Sequence, residues 1–288
     1  MLKKNSFTGH LQKFLVGCSD IAHMHYFAIA NARKTEERIA AAYKKFVDTG
    51  NAKHYRTGTA LTLIDLFSKE EWVQRAAAEV RATEGADVLK LAAEAAARAN
   101  AYVVVALHEA FEVFLQDVYG TLLFQRRGEC TLRQKQAFHK AHPKMTKVEG
   151  TPQYYRAYAK FECKRDCDKA IAALFAQLDM KSVVLDRWGD MSFEEVIAVV
   201  GFCRHRIVHV DGVITPEALT ELSVAQKNFV KRCLRKGVLT GEPQFLPDHA
   251  TTKGIIEILA SVAYALYVLL GRQCAMKIDY GPQAKRSR

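Results

Sequence analysis

Helical periodicity is the feature that most constrains how this chain can fold. Its longest stretch runs from about Ala86 to Phe124. There, apolar residues at i, i+3, i+7, i+10 and i+11 form a core-facing stripe of Val104, Leu107, Phe111, Phe114 and Leu115. The sequence shows no strand-like alternation of any length and no repeat with a period of roughly 20–50 residues. We therefore predict an all-α fold.

Helix signals divide the rest of the chain. We predict helices over about 21–46, 60–82, 154–178, 193–208 and 252–276, and another that begins after Thr215-Pro216. Ser192 and Glu195 have the spacing of a capping box at the start of the 193–208 helix. The polar region 125–153 contains glycines and prolines that favour a loop with one short helix. We divide the chain into a helical extension (1–94), a helical domain (95–276) and a basic tail (277–288).

The N-terminal sequence and the cysteines favour a cytoplasmic protein without a membrane anchor. No apolar run follows Lys3 and Lys4, so a secretory signal is not expected. The most apolar stretch, Ile255 to Leu270, contains Glu257 and is shorter than a membrane-spanning helix, which indicates a core helix. Seven scattered cysteines indicate reduced thiols. Cys163 and Cys167 form a CxxxC pair with no second pair at a metal-like spacing, so we expect no metal site and no cofactor.

Several common chemistries have no support in the sequence. The chain contains no GxxxxGK[ST], GxGxxG, HExxH or GxSxG motif, which argues against a phosphate-binding loop, a zinc protease and a serine hydrolase. His23 with His25, and His139 with His142, lack neighbouring ligands in a recognisable pattern. We interpret both pairs as surface histidines.

A cluster of arginines and histidines ends the helix over 193–208. This helix is expected to bury Val196, Ile197, Val200, Cys203 and Ile207. Its last turns also carry Arg204, His205, Arg206 and His209. Histidine can move the proton of a ribose 2′-OH, and a guanidinium can bind the scissile phosphate, so the combination suits phosphoryl transfer on RNA. The alternative is that these cations only favour the negative end of the helix dipole. Arg204 and His209 lie about 140° apart on a regular helix, and a frayed last turn would bring them closer.

The segment Arg204 to Ile214 resembles the Arg-x4–6-His motif of HEPN domains. In the matching form, a polar residue follows the arginine, and Ile-Val-His with a glycine turn completes the motif; here these are His205, Ile207-Val208-His209 and Gly212. The earlier segment Glu109 to Leu115 resembles the glutamate-containing early helix of such bundles. The resemblance covers about 95–276. It implies an all-α helical bundle of the kind found in RNases of prokaryotic toxin–antitoxin, abortive-infection and CRISPR systems.

The resemblance also implies a role for each matching residue. Arg204 would bind the scissile phosphate, and His209 would act as general base or acid. His205 stands where asparagine is commonest and would support Arg204 or the phosphate. Glu112, with Glu109 as the weaker candidate, would orient the arginine or histidine; the alternative for both glutamates is a solvated helix face.

Family members usually form homodimers with two motifs across a shared cleft, so we expect a homodimer. In one toxin subclass the antitoxin modifies a tyrosine two residues after the histidine. Asp211 occupies that position here, which counts against that mode of control.

Most of the chain's net positive charge comes from one segment. The net charge is +11 and the pI about 9.3. Residues 121–169 hold twelve lysines and arginines against five aspartates and glutamates, a net +7. We predict that Arg126, Arg127, Lys144 and Lys147 of this segment bind RNA, together with Arg206 beside the motif. Tyr154, Tyr155 and Tyr158 follow, and they would either stack on bases or pack inward.

The sequence thus leads to two functional hypotheses. The first is a metal-independent endoribonuclease that attacks through the 2′-OH, leaves a 2′,3′-cyclic phosphate and a 5′-OH, and serves as an antiphage defence or toxin effector. RNA is its substrate, and an antitoxin or sensor is a possible partner. The alternative is a non-catalytic HEPN-fold module that binds RNA, a nucleotide or a protein.

Overall fold

Most of the described residues are helical, in agreement with the periodicity. The computed structural model describes residues 3–59, 62–64, 74–76, 81–126, 132–163, 166–177, 191–238 and 240–278. Its helices are α1 (Thr8–Asp48), α2 (Asp87–Gln125), α3 (Leu132–Ala141), α4 (Pro152–Cys163), α5 (Cys167–Gln177), α6 (Phe193–Val210), α7 (Pro216–Thr220), α8 (Val224–Cys233) and α9 (His249–Gln273). Short 3₁₀ turns cover Ala52–His54 and Pro143–Val148. Arg127 and the predicted tail beyond Ile278 lie outside the described residues.

The predicted helix over 60–82 is wrong where the structure describes that segment. Strands β1 (Arg56–Thr59) and β4 (Arg81–Glu84) form one antiparallel pair, and β2 (Thr62–Ile64) and β3 (Gln74–Ala76) form another. The first two strands contain three threonines and one isoleucine, whose β-branched side chains favour strands over helices. A third antiparallel pair joins β5 (Leu234–Lys236) to β6 (Pro243–Phe245). These pairs are short, and the described chain remains mostly helical, as the predicted all-α class requires.

Helix α2 is the centre of the bundle. Helices α1, α4, α5, α6 and α9 all contact it. The ring of Phe14 on α1 lies 5.7 Å from that of Phe111 and 5.1 Å from that of Phe114. The whole predicted stripe of α2 is buried. Helix α1 joins the same core as α9, and the boundary that we drew at 94/95 falls inside α2.

The predicted helix over 154–178 is divided in two, and the first helix of the chain begins earlier than predicted. The segment over 154–178 contains α4 and α5 rather than one helix. Asp166 precedes α5, and its side chain accepts a hydrogen bond from the backbone N–H of Lys169 at 3.1 Å. Asp166 thus caps a new helix. Helix α1 begins at Thr8, well before the predicted start near Ile21.

Helix α6 forms as the sequence predicts. The Ser192 hydroxyl accepts from the Glu195 backbone N–H, and the Glu195 carboxylate accepts from the Ser192 backbone N–H, so the capping box is confirmed. All five residues predicted to face the core are buried. Beyond Val210, Asp211 and Gly212 take left-handed backbone conformations, with φ of 53° and 77°, that end the helix.

Helix α9 is long and apolar enough to cross a membrane by length and composition alone, and half of its apolar window is buried inside the protein. Ile255, Leu259, Val262 and Leu266 are among the residues that it adds to the core. This matches the core helix predicted from the sequence.

The contrast between two phenylalanines tests the packing around α2. Phe111→Ala removes a fully buried ring and should lower the free energy of unfolding by about 3–5 kcal/mol. Phe27→Ala removes a ring on α1 that is 64% exposed and should change it by less than about 0.5 kcal/mol. Urea denaturation of both variants measures the difference, and equal losses of stability would contradict this packing.

Candidate functional site

Helix α6 fixes the relative positions of the predicted catalytic residues. Because α6 remains helical to Val210, the last turn does not fray in the way that would bring Arg204 and His209 together. The two side chains leave a regular helix about 140° apart. His205 follows Arg204 directly and lies one helical turn before His209. The ring centroids of the two histidines are 4.6 Å apart.

His205 is exposed and lies among cations. Its pKa is lowered by partial desolvation first, and then by the neighbouring His209, Arg206 and Arg204. A lowered pKa favours the neutral imidazole at neutral pH, which is the form that can accept a proton.

Arg204 bridges α6 and α2. Its Nη2 donates to Oε1 of Glu109 at 3.4 Å, a long contact with a glutamate that is itself largely exposed. Its Nε is buried and finds no hydrogen-bond acceptor among the described residues. Part of the hydrogen-bonding capacity of the guanidinium is thus unused.

The two candidate orienting glutamates have different partners. Glu109 contacts Arg204, whereas Oε2 of Glu112 lies 4.0 Å from Nδ1 of His108. Glu112 is four residues after His108 and three after Glu109, so the three side chains are neighbours on the surface of α2. The geometry therefore makes Glu109, the weaker candidate from the sequence, the direct neighbour of Arg204.

Arg206 lies beside the motif rather than within it. Its Cζ is 5.4 Å from the centroid of the Phe202 ring, a cation–π distance. Its Nε is also buried without an acceptor in the described part of the chain. The side chain is half-buried, so only part of it is open to an anion.

A cleft of about 410 Å³ lies next to Arg204, between α2, α5 and α6. Among its lining residues are His108, Glu112, Cys167, Asp168, Arg204 and His205. Gly201 lets the helices approach here, since a Cβ at this position would lie 3.2 Å from Nε2 of His108. The sequence analysis did not identify His108, and the only signal for it was its spacing of four residues from Glu112.

His108 is kept neutral by its surroundings. Burial, and then the positive charge of Arg204, lower its pKa from 6.5 to about 4. Its Nδ1 is buried and has no hydrogen-bond partner among the described residues.

One group of side chains in the cleft has the composition of a metal site. His108, Glu112 and Cys167 are all buried, and one potential ligand atom from each lies within 4.8 Å of the other two. The expectation of no metal site considered only the CxxxC spacing. The structure instead groups Cys167 with two residues of α2 that lie far from it in sequence.

The end of α6 is held by a polar network that the sequence analysis missed. Nη1 of Arg98 donates to Asp211 at 2.8 Å, and its Nε donates to Glu94 at 2.8 Å. Nε2 of Gln244, which is fully buried, donates to the backbone oxygen of Asp211 at 3.0 Å. Asp211 is therefore a structural link between α6, α2 and β6.

The predicted RNA-binding residues lie apart along the chain. Arg126 follows α2 and is half-buried, while Lys144 and Lys147 are exposed on the 3₁₀ turn Pro143–Val148. Arg127 lies outside the described residues. The three tyrosines are buried, which confirms that they pack inward, and the Tyr154 hydroxyl lies 2.9 Å from Nε2 of His139.

One of the histidines interpreted as surface residues is not on the surface. His25 is buried, with Nε2 2.5 Å from Oδ1 of Asn100, so that interpretation is wrong. Helix α1 buries His25 against α2, a contact that no local pattern indicates.

The lowered pKa of His108 predicts a loss of stability in acid. Between the unfolded pKa of 6.5 and the folded value of about 4, the unfolded chain binds a proton that the folded chain does not. The contribution of the neutral His108 to the free energy of unfolding is therefore fully present above pH 6.5 and is lost as the pH falls towards 4. The contribution of His108 to this loss between pH 7 and pH 5 is about 2 kcal/mol.

Urea denaturation at pH 7 and pH 5, with EDTA present, measures this loss. Between the two pH values, His108→Gln should lose about 2 kcal/mol less stability than the wild type. Equal losses in the two proteins would show that His108 is not the group responsible.

Comparison of the chain with protein-family models, with curated proteins and with solved structures finds no match in any of the three. The assignment of a function therefore depends on the geometry of the site and on the resemblance of its motif.

Proposed function

We propose that this protein is a metal-independent endoribonuclease of the HEPN type. The observation that carries the proposal is the hydrogen-bonding state of Arg204, whose buried Nε has no acceptor in the described structure and whose Nη2 makes only a long contact with Glu109. Such a guanidinium can take a phosphate oxygen without first breaking a strong ion pair. His205 and His209 lie on the same end of α6 and supply imidazoles for proton transfer.

In the proposed reaction, one imidazole accepts the proton of the ribose 2′-OH, and the 2′-oxygen forms a bond to phosphorus. The bond from phosphorus to the 5′-oxygen breaks, and a protonated imidazole gives that oxygen its proton. Arg204 stabilises the charge on the phosphate in the transition state. The products are a 2′,3′-cyclic phosphate and a 5′-OH.

The charge of the cleft restricts where the proposed RNA substrate could bind. Glu112, Asp166 and Asp168 line it, and their carboxylates would repel phosphate. We therefore place the scissile phosphate at the outer edge of the cleft, on the side of Arg204 that is open to His205.

The regular geometry of α6 supports a dimer as the active form. Arg204 and His209 of one chain point in directions about 140° apart and do not converge on one phosphate. Two α6 helices across a two-fold axis would bring Arg204 and His209 of different protomers together. A cytoplasmic antiphage or toxin effector, with an antitoxin or sensor as partner, is the setting that the motif's resemblance implies.

Substitution of the motif residues tests the chemistry. Arg204→Ala and His209→Ala should each lower the cleavage rate by about 10²–10⁴-fold in the presence of EDTA, because each removes a group that acts on the reacting phosphate or proton. His205→Ala should show whether His205 acts in the chemistry or in support. The assay follows 2′,3′-cyclic phosphate formation on total RNA or tRNA.

Arg232→Ala and His23→Ala are the matched controls, since both remove exposed side chains on other surfaces, and both should cleave at the wild-type rate. A mixture of the Arg204→Ala and His209→Ala chains should recover part of the activity if the site is shared between protomers. RNA binding without cleavage by the wild type would instead favour the non-catalytic module.

The basic segment should govern RNA affinity rather than the chemical step. Replacing Arg126, Arg127, Lys144 and Lys147 with alanine should weaken RNA binding and reduce the slope of log K against log salt by about 0.7 for each phosphate that is no longer neutralised. Cleavage at saturating RNA should be unchanged. The control replaces the same number of exposed cations on α1, Lys34, Arg38, Lys44 and Lys45. An equal effect in the control would indicate a general response to net charge.

A further inference from the structure

We propose that His108, Glu112 and Cys167 form a binding site for one divalent cation of the Zn²⁺ class, in the cleft between α2, α5 and α6. The three residues are buried, and their potential ligand atoms all lie within 4.8 Å of one another. This site goes beyond the proposed ribonuclease activity, which requires no metal.

The spacing of the ligand atoms fits a small cation. In a tetrahedral zinc site, ligands at about 2.0–2.3 Å from the metal are about 3.3–3.8 Å from one another. His108 and Glu112 are one turn apart on α2, and Nδ1 and Oε2 are separated by 4.0 Å. Small rotations of these side chains and of Cys167 would therefore close the group around an ion.

An unpartnered imidazole points to the same conclusion independently. The His108 side chain is 9% exposed, and its Nδ1 has no hydrogen-bond partner among the described residues. A buried polar atom without a partner is unfavourable, and buried polar groups in proteins are nearly always satisfied. A neutral imidazole nitrogen is a common metal ligand, and a bound ion would give this buried atom a partner.

The chemistry of the ligands selects the metal. Thiolate, imidazole and carboxylate together suit Zn²⁺, whereas Mg²⁺ and Ca²⁺ prefer oxygen ligands alone. The lining residues that the structure describes also include Asp166 and Asp168. Together with Glu112 they make three carboxylates, whose negative charge offsets the positive charge of Arg204 and favours a cation. Three protein ligands leave a fourth position for water or another ligand in the cleft.

Binding must release a proton. A cysteine thiol is mostly protonated at neutral pH, whereas the metal ligand is the thiolate. On binding, the S–H bond breaks, an S–metal bond forms and the proton passes to solvent. No oxidant or reductant is needed.

The experiment uses the full chain, reduced, stripped with a chelator and titrated with Zn²⁺ or with Co²⁺ as a spectroscopic probe. The wild type should bind about one metal ion per chain and show the thiolate-to-cobalt charge-transfer band with the visible bands of tetrahedral Co²⁺. Calorimetry in buffers of different ionisation enthalpy should detect release of about one proton per ion. Absence of the thiolate band from the wild type would overturn the proposal without any variant.

Variants then locate the ligands. Cys167→Ser should abolish the charge-transfer band, and His108→Gln and Glu112→Gln should each weaken Zn²⁺ binding by about tenfold or more. Cys163→Ser, at the end of α4, is the matched control and should bind as the wild type does. Loss of binding in this control with retention in His108→Gln would assign the metal to the cysteine pair and overturn the proposal. Metal binding is measured without RNA, so its failure is distinct from failure of the ribonuclease activity.

Discussion

The rest of the structure depends on the need to cover α2 on several sides. The second half of this helix carries apolar residues around most of its circumference, and such a helix is stable only when it is buried. Helices α1, α4, α5, α6 and α9 supply the covering surfaces. Because α6 is one of them, the arginine and histidines at its end are held on a rigid support. The cleft beside Arg204 is the place where α2, α5 and α6 meet around polar residues instead of apolar ones.

Polar residues on the buried faces of α2 specify how the other helices dock. Asn100 contacts His25 of α1 and the backbone oxygen of Pro247, Asp117 forms an ion pair with Arg156 of α4, and Glu94 accepts a hydrogen bond from the backbone N–H of Val238. Each contact satisfies a buried group that would be unfavourable alone, so an incorrect docking would leave it unpaired. His108 differs, since its Nδ1 has no such partner in the described structure. A buried ring nitrogen without a hydrogen-bond partner, at the edge of a cleft, is better explained by a ligand in the cleft than by packing of the helices.

What could be predicted from the sequence was local. The capping box of Ser192 and Glu195 and the buried face of α6 depend on residues within one or two turns, and both were correct. The prediction for 60–82 was wrong because its strands are only three or four residues long, too short to show alternation, and each depends on a pairing partner elsewhere in the chain. Contacts between distant segments could not be predicted at all. The approach of Cys167 to His108, and of Arg98 to Asp211, depends on how whole helices pack.

The role of Asp211 connects the fold to the chemistry. This residue holds the end of α6 to Arg98 and Gln244. The link keeps the last turn of the helix intact and so keeps His209 in helical register with His205. A frayed end would let His209 swing towards Arg204 of its own chain and would remove the geometric reason for a shared site. In the proposed reaction, the ion pair that completes the fold would therefore favour a site shared between two protomers.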